Sequence, residues 1–219
     1  MTRAELRTLM RSWLDDTNGG YFTDANCNTW LNLAQRRIQM DLLQAGQNWY
    51  ETVAETTTVA SQADYLFPSD FVVEHRIEIV MSGAGPTESR QMLSPITTNQ
   101  QTFVSIALGA PTNYFIKKDR FTVSPTPDKA YLLRLYYSPM VADLGSDSTT
   151  PDVPEQLIEY VALLAAFDGF IKDDRAPTNL MAKKEEYKQI LKQMANTRTA
   201  DVPRQIVTVT DYDNMGAIP

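Results

Sequence analysis

At 219 residues, with 43% hydrophobic and 21% charged side chains, the chain has the composition of a folded protein with enough apolar content for a sizeable core. Its formal charge of −7 argues against a surface built to grip nucleic acid, which needs clustered Lys and Arg to displace phosphate counterions. A single cysteine, Cys27, excludes an internal disulfide.

The first predicted element opens with "TRAE", where Thr2 as N-cap and Glu5 at the third helical position make a capping box. Leu6, Leu9, Met10, Trp13 and Leu14 recur at helical spacing, and "DDTNGG" stops the helix through Asn and two glycines. A second helix starts at Thr23-Asp24, carries Trp30, Leu31, Ala34, Ile38 and Leu42 on one stripe, and ends near Gly46.

The character changes at Trp49. Threonine, valine and tyrosine dominate residues 50–140, and prolines and glycines interrupt at short intervals, the pattern of short antiparallel strands. Ile77, Ile79 and Met81 alternate, as do Leu133, Leu135 and Tyr137 against Leu132, Arg134 and Tyr136. "IKKDRFTV" reads as a hairpin turning at Lys118-Asp119, while "SPITTNQQTFVSI" has room for a short helix. Five or six strands in a small sandwich or barrel are expected.

A polar linker, "ADLGSDSTTPDVP", returns the chain to helix. Asp152 and Glu155 repeat the capping-box spacing, with Pro154 in the first turn, where its missing N–H costs nothing. The next helix is apolar on nearly every side from Leu157 to Ile171, so it should be covered on more than one face and act as the hub of the helical part. The last helix, about residues 177–196, carries Leu180, Met181, Tyr187, Leu191 and Met194 on one stripe, with Lys183, Lys184, Glu185 and Glu186 towards solvent. The expected architecture is α+β. Helices over 1–49 and 141–197 pair into a four-helix bundle, an antiparallel β lobe over 50–140 is inserted between them, and an extended arm follows over 198–219.

The chain offers little for catalysis. His75, its only histidine, could work as a base only with Asp70 or Glu74, and a half-buried strand residue is the plainer reading. Cys27 lies on the second helix without a second cysteine or helical histidine, so a packed thiol is expected. The acidic pairs Asp15-Asp16, Asp173-Asp174 and Glu185-Glu186 sit at helix ends or on a polar face, where solvated charge is the default. No calcium loop, P-loop, dinucleotide fingerprint or nucleophile elbow is present, and "SGAGP" reads as a turn between strands. Arg36-Arg37 and Lys117-Lys118, the densest basic pairs, lack the aromatic run that base stacking uses. The expectation is a non-enzyme with no catalytic, cofactor or metal residues. An N-terminus charged throughout residues 2–14 reads as lacking a signal peptide, and the longest uncharged apolar run, 160–167, is far short of the roughly 20 residues that span a bilayer.

Several stretches, taken in order, resemble tailed-phage head-to-tail adaptor (connector) proteins. "TDANCNTWLNLAQRRIQMDL" looks like their long second helix, and "ASQADYLFPSDF" like the segment that begins their β region, here with Phe67 before Pro68. "GAPTNYFIKKDRFTVSPTPDKAYLLRLYYSPM" resembles their G-x-P-x-x-Y hairpin, P-x-P turn and strand with paired tyrosines, and "DVPEQLIEYVALLAAF" resembles the helix that returns to the bundle. The resemblance implies a structural protein of the virion neck, made in the host cytoplasm. It implies a homo-dodecameric ring under the portal protein that extends the DNA channel and gives the tail or nozzle protein a platform. An acidic wall would let genomic DNA slide through without specific binding.

The closing arm then acquires a reading. Ile206, Val207, Thr208, Val209 and Thr210 are all β-branched, bracketed by Pro203 and an Asp-rich "DYDN". Fully extended, residues 198–219 reach about 70 Å at about 3.3 Å each. Strand addition to an exposed sheet edge of the portal is expected, with Arg204, Ile206, Val207, Thr208, Val209, Thr210, Tyr212 and Ile218 as the portal-binding residues and ordering of the arm delayed until assembly. The alternatives left open are an arm packed on its own β lobe or a flexible end. For the whole chain they are another neck protein (stopper or tail-completion), a glycan- or receptor-binding tail module, or a hydrolase relying on His75.

Overall fold

The computed structural model describes residues 1–45, 49–83, 85–97 and 107–198. The chain divides into two compact units, one of Met1–Gln47 with Leu144–Pro219 and the other of Asn48–Asp143.

The first unit holds, among the described residues, four α-helices: α1 (Arg3–Trp13), α2 (Asp24–Gln44), α3 (Ile158–Lys172) and α4 (Met181–Arg198). α1 begins with the expected capping box of Thr2 and Glu5, and Thr23 caps α2 through the Asn26 amide. The stop after α1 is not made by the glycines. Asp15 adopts the left-handed region (φ 57°) just past the Leu14 cap, and the Asp16 amide reaches back to the Arg11 carbonyl at 3.1 Å. α3 ends the same way, with Asp174 at φ 51° and the Arg175 amide on the Phe170 carbonyl at 3.0 Å. Aspartate is among the few residues that tolerate this conformation, so the two Asp-Asp pairs are helix terminators.

α3 contacts α1, α2 and α4 and buries residues on all its faces, from Tyr160 to Phe170, as a hub helix should. The capping box expected at Asp152 and Glu155 does not form. Pro154 stands at the N-cap of a 3-10 turn, Glu155–Leu157, which is closed by backbone when the Leu157 amide donates to the Pro154 carbonyl at 2.8 Å. α3 starts behind it with no side-chain cap bond, held by burial of its apolar faces. The buried stripe of α4 is Tyr187 and Leu191, continued by Leu180 from the 3-10 turn Thr178–Leu180 before it, whereas Met181 is 55% exposed because it lies a quarter-turn off that stripe.

The second unit has eight strands among the described residues, not five or six: β1 (Thr52–Thr57), β2 (Asp64–Leu66), β3 (Phe71–Ser82), β4 (Ser89–Met92), β5 (Ser94–Pro95), β6 (Asn113–Lys117), β7 (Arg120–Ser124) and β8 (Leu132–Pro139). The surplus lies in very short strands such as β2 and β5, too short to show alternation and defined by their neighbours. One sheet runs β1-β8-β3-β4 and the other β2-β7-β6-β5, antiparallel except for the β5–β6 pair. The hairpin at Lys118-Asp119 joins β6 to β7 as expected. Of the stretch read as a possible short helix, Ser94–Pro95 is β5, and 98–106 lie outside the described residues.

Both sheets turn side chains into one core: Ile77, Ile79, Leu133, Leu135 and Tyr137 from the first, Tyr65, Tyr114, Phe121 and Val123 from the second. The alternation read from β3 and β8 is therefore a true inside–outside pattern, with Met81 leaving the core at the strand's end, 39% exposed. The "YLFPSDF" stretch links the two layers through aromatics. Phe67 stacks on Phe71 with centroids 3.8 Å apart, Phe67 also meets Phe121, and Phe71 meets Tyr137. The Tyr137 hydroxyl donates to Asp70 at 3.1 Å, and the Asp70 carbonyl accepts from the Met140 amide at 2.6 Å.

Candidate functional site

Side chains with chemical potential are spent on packing. His75 Nε2 lies 2.8 Å from the Ser138 hydroxyl, a pairing that on another fold could be a nucleophile and its base. Ser138, however, is fully buried in β8, where no substrate carbonyl could approach it. Cys27 is fully buried in α2, and burial pushes its thiol up, away from the reactive thiolate. Asp16 is not a solvated charge: its carboxylate accepts from the amides of Tyr21 (3.1 Å) and Phe22 (2.9 Å) and from Arg11 (3.1 Å). Burial works against its ionisation, but the Phe22 and Tyr21 amides and the Arg11 charge outweigh it and hold the carboxyl below the usual range.

Among the described residues the basic side chains are mostly engaged with carboxylates. Arg3 and Arg7 converge on Asp147 and hold its carboxyl at about 2. Arg37 places Nη1 at 2.9 Å from both oxygens of Asp168, and Lys117 lies 3.7 Å from Asp64. Lys183 pairs with Glu159 and stands over the Trp13 ring, and Lys184 stands over Phe167, so neither points simply to solvent. Cations neutralised in this way leave little for phosphate.

The most highly organised surface is the outer face of the β1-β8-β3-β4 sheet. Arg134 in β8 donates to Glu55 of β1 at 2.7 Å and to both oxygens of Glu88, at 2.5 and 3.0 Å. Arg90 in β4 adds a bond to Glu88 at 2.8 Å. Arg134 first, with Arg90 beside it, holds the Glu88 carboxyl at about 2. Next to this row Arg76 of β3 bonds Glu78 (3.0 Å) and Glu51 (3.1 Å) and lies 3.7 Å over the Tyr136 ring. The sequence carries a signal for part of this ladder: Arg76, Glu78 and Arg134 take the outward positions of β3 and β8, whose inward positions Ile77, Ile79, Leu133 and Leu135 are apolar, whereas β1 and β4, which supply Glu55 and Arg90, show no such alternation. Charges counted along the chain do not reveal it, because its partners are 46 and 79 positions apart. The two rims of this sheet, β1 and β4, are exposed. Val53 is 47% and Met92 63% accessible.

The residues expected to bind a portal, Arg204, Ile206, Val207, Thr208, Val209, Thr210, Tyr212 and Ile218, lie outside the described residues. Among the described residues no cluster of His, Cys, Asp and Glu could hold a metal ion, and no helix is long and apolar enough to cross a membrane. The family model described as SU10 adaptor protein matches residues 1–208. No curated protein matches the chain.

Proposed function

Because the chain belongs to the SU10 adaptor protein family, the phage head-to-tail adaptors that its sequence resembles, we propose that it forms a ring beneath the portal, docks there through its C-terminal arm, and presents its other side to the tail. In this reading the four helices form one bundle, the β lobe supplies contact surface, and the ring extends the DNA channel. The observation that carries it is the family match across residues 1–208, which covers both units and runs into the arm as far as Thr208. The lack of a reachable nucleophile around His75 and Ser138, and arginines already paired with acids, favour an assembly part over an enzyme or a DNA-gripping protein. An acidic balance of −7 also suits a channel through which DNA must slide.

Docking through Ile206, Val207, Val209 and Tyr212 needs main-chain pairing with a portal sheet edge, and the gain must exceed an ordering cost on the order of 1–2 kcal/mol per residue. The test is removal of residues 199–219. The shortened chain should keep its far-ultraviolet circular dichroism and its solubility, and should no longer co-sediment with the portal of the same phage. Unchanged co-sedimentation would refute docking through the arm.

A further inference from the structure

We propose that neighbouring copies of this chain join edge to edge, β1 of one copy adding to β4 of the next, antiparallel, with Glu55 opposite Arg90 and Val53 opposite Met92. The proposal deepens the ring reading and rests on it in requiring several copies in one assembly. The match between the edges is independent of that reading.

The backbone fixes which groups each edge offers. The Thr58 amide donates to the Tyr131 carbonyl at 2.8 Å, continuing the β1–β8 register in which Thr56 faces Leu133 and Ala54 faces Leu135. Hydrogen-bonded residues alternate along an antiparallel strand, so Thr52, Ala54 and Thr56 spend their backbone groups on β8. Val53, Glu55 and Thr57 turn theirs away from the sheet. On the other rim the Leu93 amide donates to the Ile77 carbonyl at 2.8 Å, and Gln91 faces Ile79. Gln91 and Leu93 thus bond inward to β3, and Arg90 and Met92 present their N–H and C=O groups outward.

These two sets fit each other. Strand directions alternate through β1-β8-β3-β4, so a β1 strand placed beside β4 is antiparallel and continues the alternation. Only registers that oppose 53, 55 or 57 to 90 or 92 bring outward groups face to face. Setting Glu55 against Arg90 also sets Val53 against Met92, an ion pair beside an apolar pair, all on the same outer face. Glu55 and Arg90 each make one bond within their own copy, to Arg134 and Glu88, through a single atom. With 51% and 46% of their side chains exposed, they have a second carboxylate oxygen and the guanidinium Nη atoms left to meet each other. Charges on edge strands usually guard against adventitious pairing. Here the guard is selective. Two β1 edges centred on each other oppose Glu55 to Glu55, two β4 edges oppose Arg90 to Arg90, and only the unlike pair attracts. A contact between two different edges is heterologous, which gives a ring when the rotation between copies closes and an open filament when it does not, and disfavours a two-fold dimer.

The test uses the full chain with Val53→Cys and Met92→Cys together, and each alone, mixed with the portal of the same phage. Opposed strand residues have Cα atoms about 5.5 Å apart, within disulfide reach. Native mass spectrometry counts copies per complex, and mild oxidation followed by denaturing electrophoresis reads covalent links. The double variant should give a ladder of linked copies, the single variants and the wild type with its buried Cys27 none. Glu55→Arg should lose the multi-copy complex, and Glu55→Arg with Arg90→Glu should recover it. Multi-copy complexes with no 53–92 link and no response to charge reversal would overturn the edge contact while leaving the ring intact. Complexes holding one copy would overturn both. A further variant joins Val53→Cys to Thr208→Cys, and a 53–208 link formed there in place of the 53–92 link would show that the arm occupies the β1 edge, and would also overturn the proposal.

Discussion

Replacing Arg11 with methionine removes the centre around which the α1–α2 connection is built. The Arg11 side chain is 9% exposed, and its Nη2 donates to the Phe22 carbonyl at 2.7 Å and to Asp24 at 2.8 Å while Nη1 donates to Asp16 at 3.1 Å. Gly19 (φ 65°) passes so close that a Cβ there would lie 2.5 Å from Nη1, so the loop is moulded on the guanidinium. Methionine keeps much of the stem's packing and deletes the fork. Breaking a buried ion pair from one side typically costs about 3–5 kcal/mol. Asp16 retains two amide donors, and Asp24, 63% exposed, is re-solvated, so the loss belongs at about 2–3 kcal/mol. With a urea dependence of about 2 kcal/mol per molar, the helical circular-dichroism transition should move down by about 1–1.5 M at neutral pH. The pH dependence gives a second reading. Asp16 is depressed in the folded chain, so it stabilises above its unfolded value of 3.8, and that contribution is lost as pH falls through the lower folded value. Without Arg11 the depression shrinks, so the gap between variant and wild type should narrow below about pH 4. A midpoint within about 0.2 M of wild type, or a gap constant down to pH 2, would refute the reasoning.

Two other expectations follow from packing and charge. Gly169 lies in α3 against buried Leu14, and a Cβ there would meet Leu14 Cδ1 at 2.8 Å and Cδ2 at 3.0 Å. Gly169→Ala should therefore be neutral to about 2 kcal/mol destabilising, overpacking opposing a helix-propensity gain of about 1 kcal/mol, and should become stabilising by about 1 kcal/mol in a Leu14→Ala background. Equal effects in the two backgrounds, measured by urea unfolding, would contradict the contact. Carboxyl-carbon NMR should find Glu88 titrating at about 2, rising towards 4.5 in Arg134→Met. A wild-type midpoint near 4.5 would remove the ladder on the outer sheet face.

The sequence was most informative where one strand or helix decides its own faces. Thr2 and Glu5, the Leu31–Ala34–Ile38 stripe and the Ile77–Ile79 alternation each report a local period, and each appears in the structure as read. What depends on distant partners was not legible. β2 has three residues and is a strand because Tyr65 pairs with Phe121 of β7. The acidic pairs at Asp15 and Asp174 sit at helix ends as read, but their part in stopping the helices is not legible, because aspartate signals solvation as readily as a left-handed turn and only the Arg11 and Phe170 carbonyls behind them decide between the two. Asp16 looked like solvent-facing charge because the guanidinium that binds it is carried by the preceding helix. The apolar character and length of the α3 segment gave the hub, but Pro154 moved its start from the expected capping box to Ile158.

The bonds that hold the first helix have a consequence for synthesis. The Arg3 and Ala4 amides donate to the Thr149 and Asp147 carbonyls, Arg3 reaches the Leu144 carbonyl at 2.6 Å, and the Leu144 amide donates to Asn32 at 2.8 Å. α1 and α2 leave the ribosome before these partners and the whole of α3, which follow the intervening unit, Asn48–Asp143. That unit is contiguous and carries its own core, so it can fold while the first two helices still wait for their covering. Helices made before the intervening unit thus settle after it, and closure of long loops sets the pace of the final step.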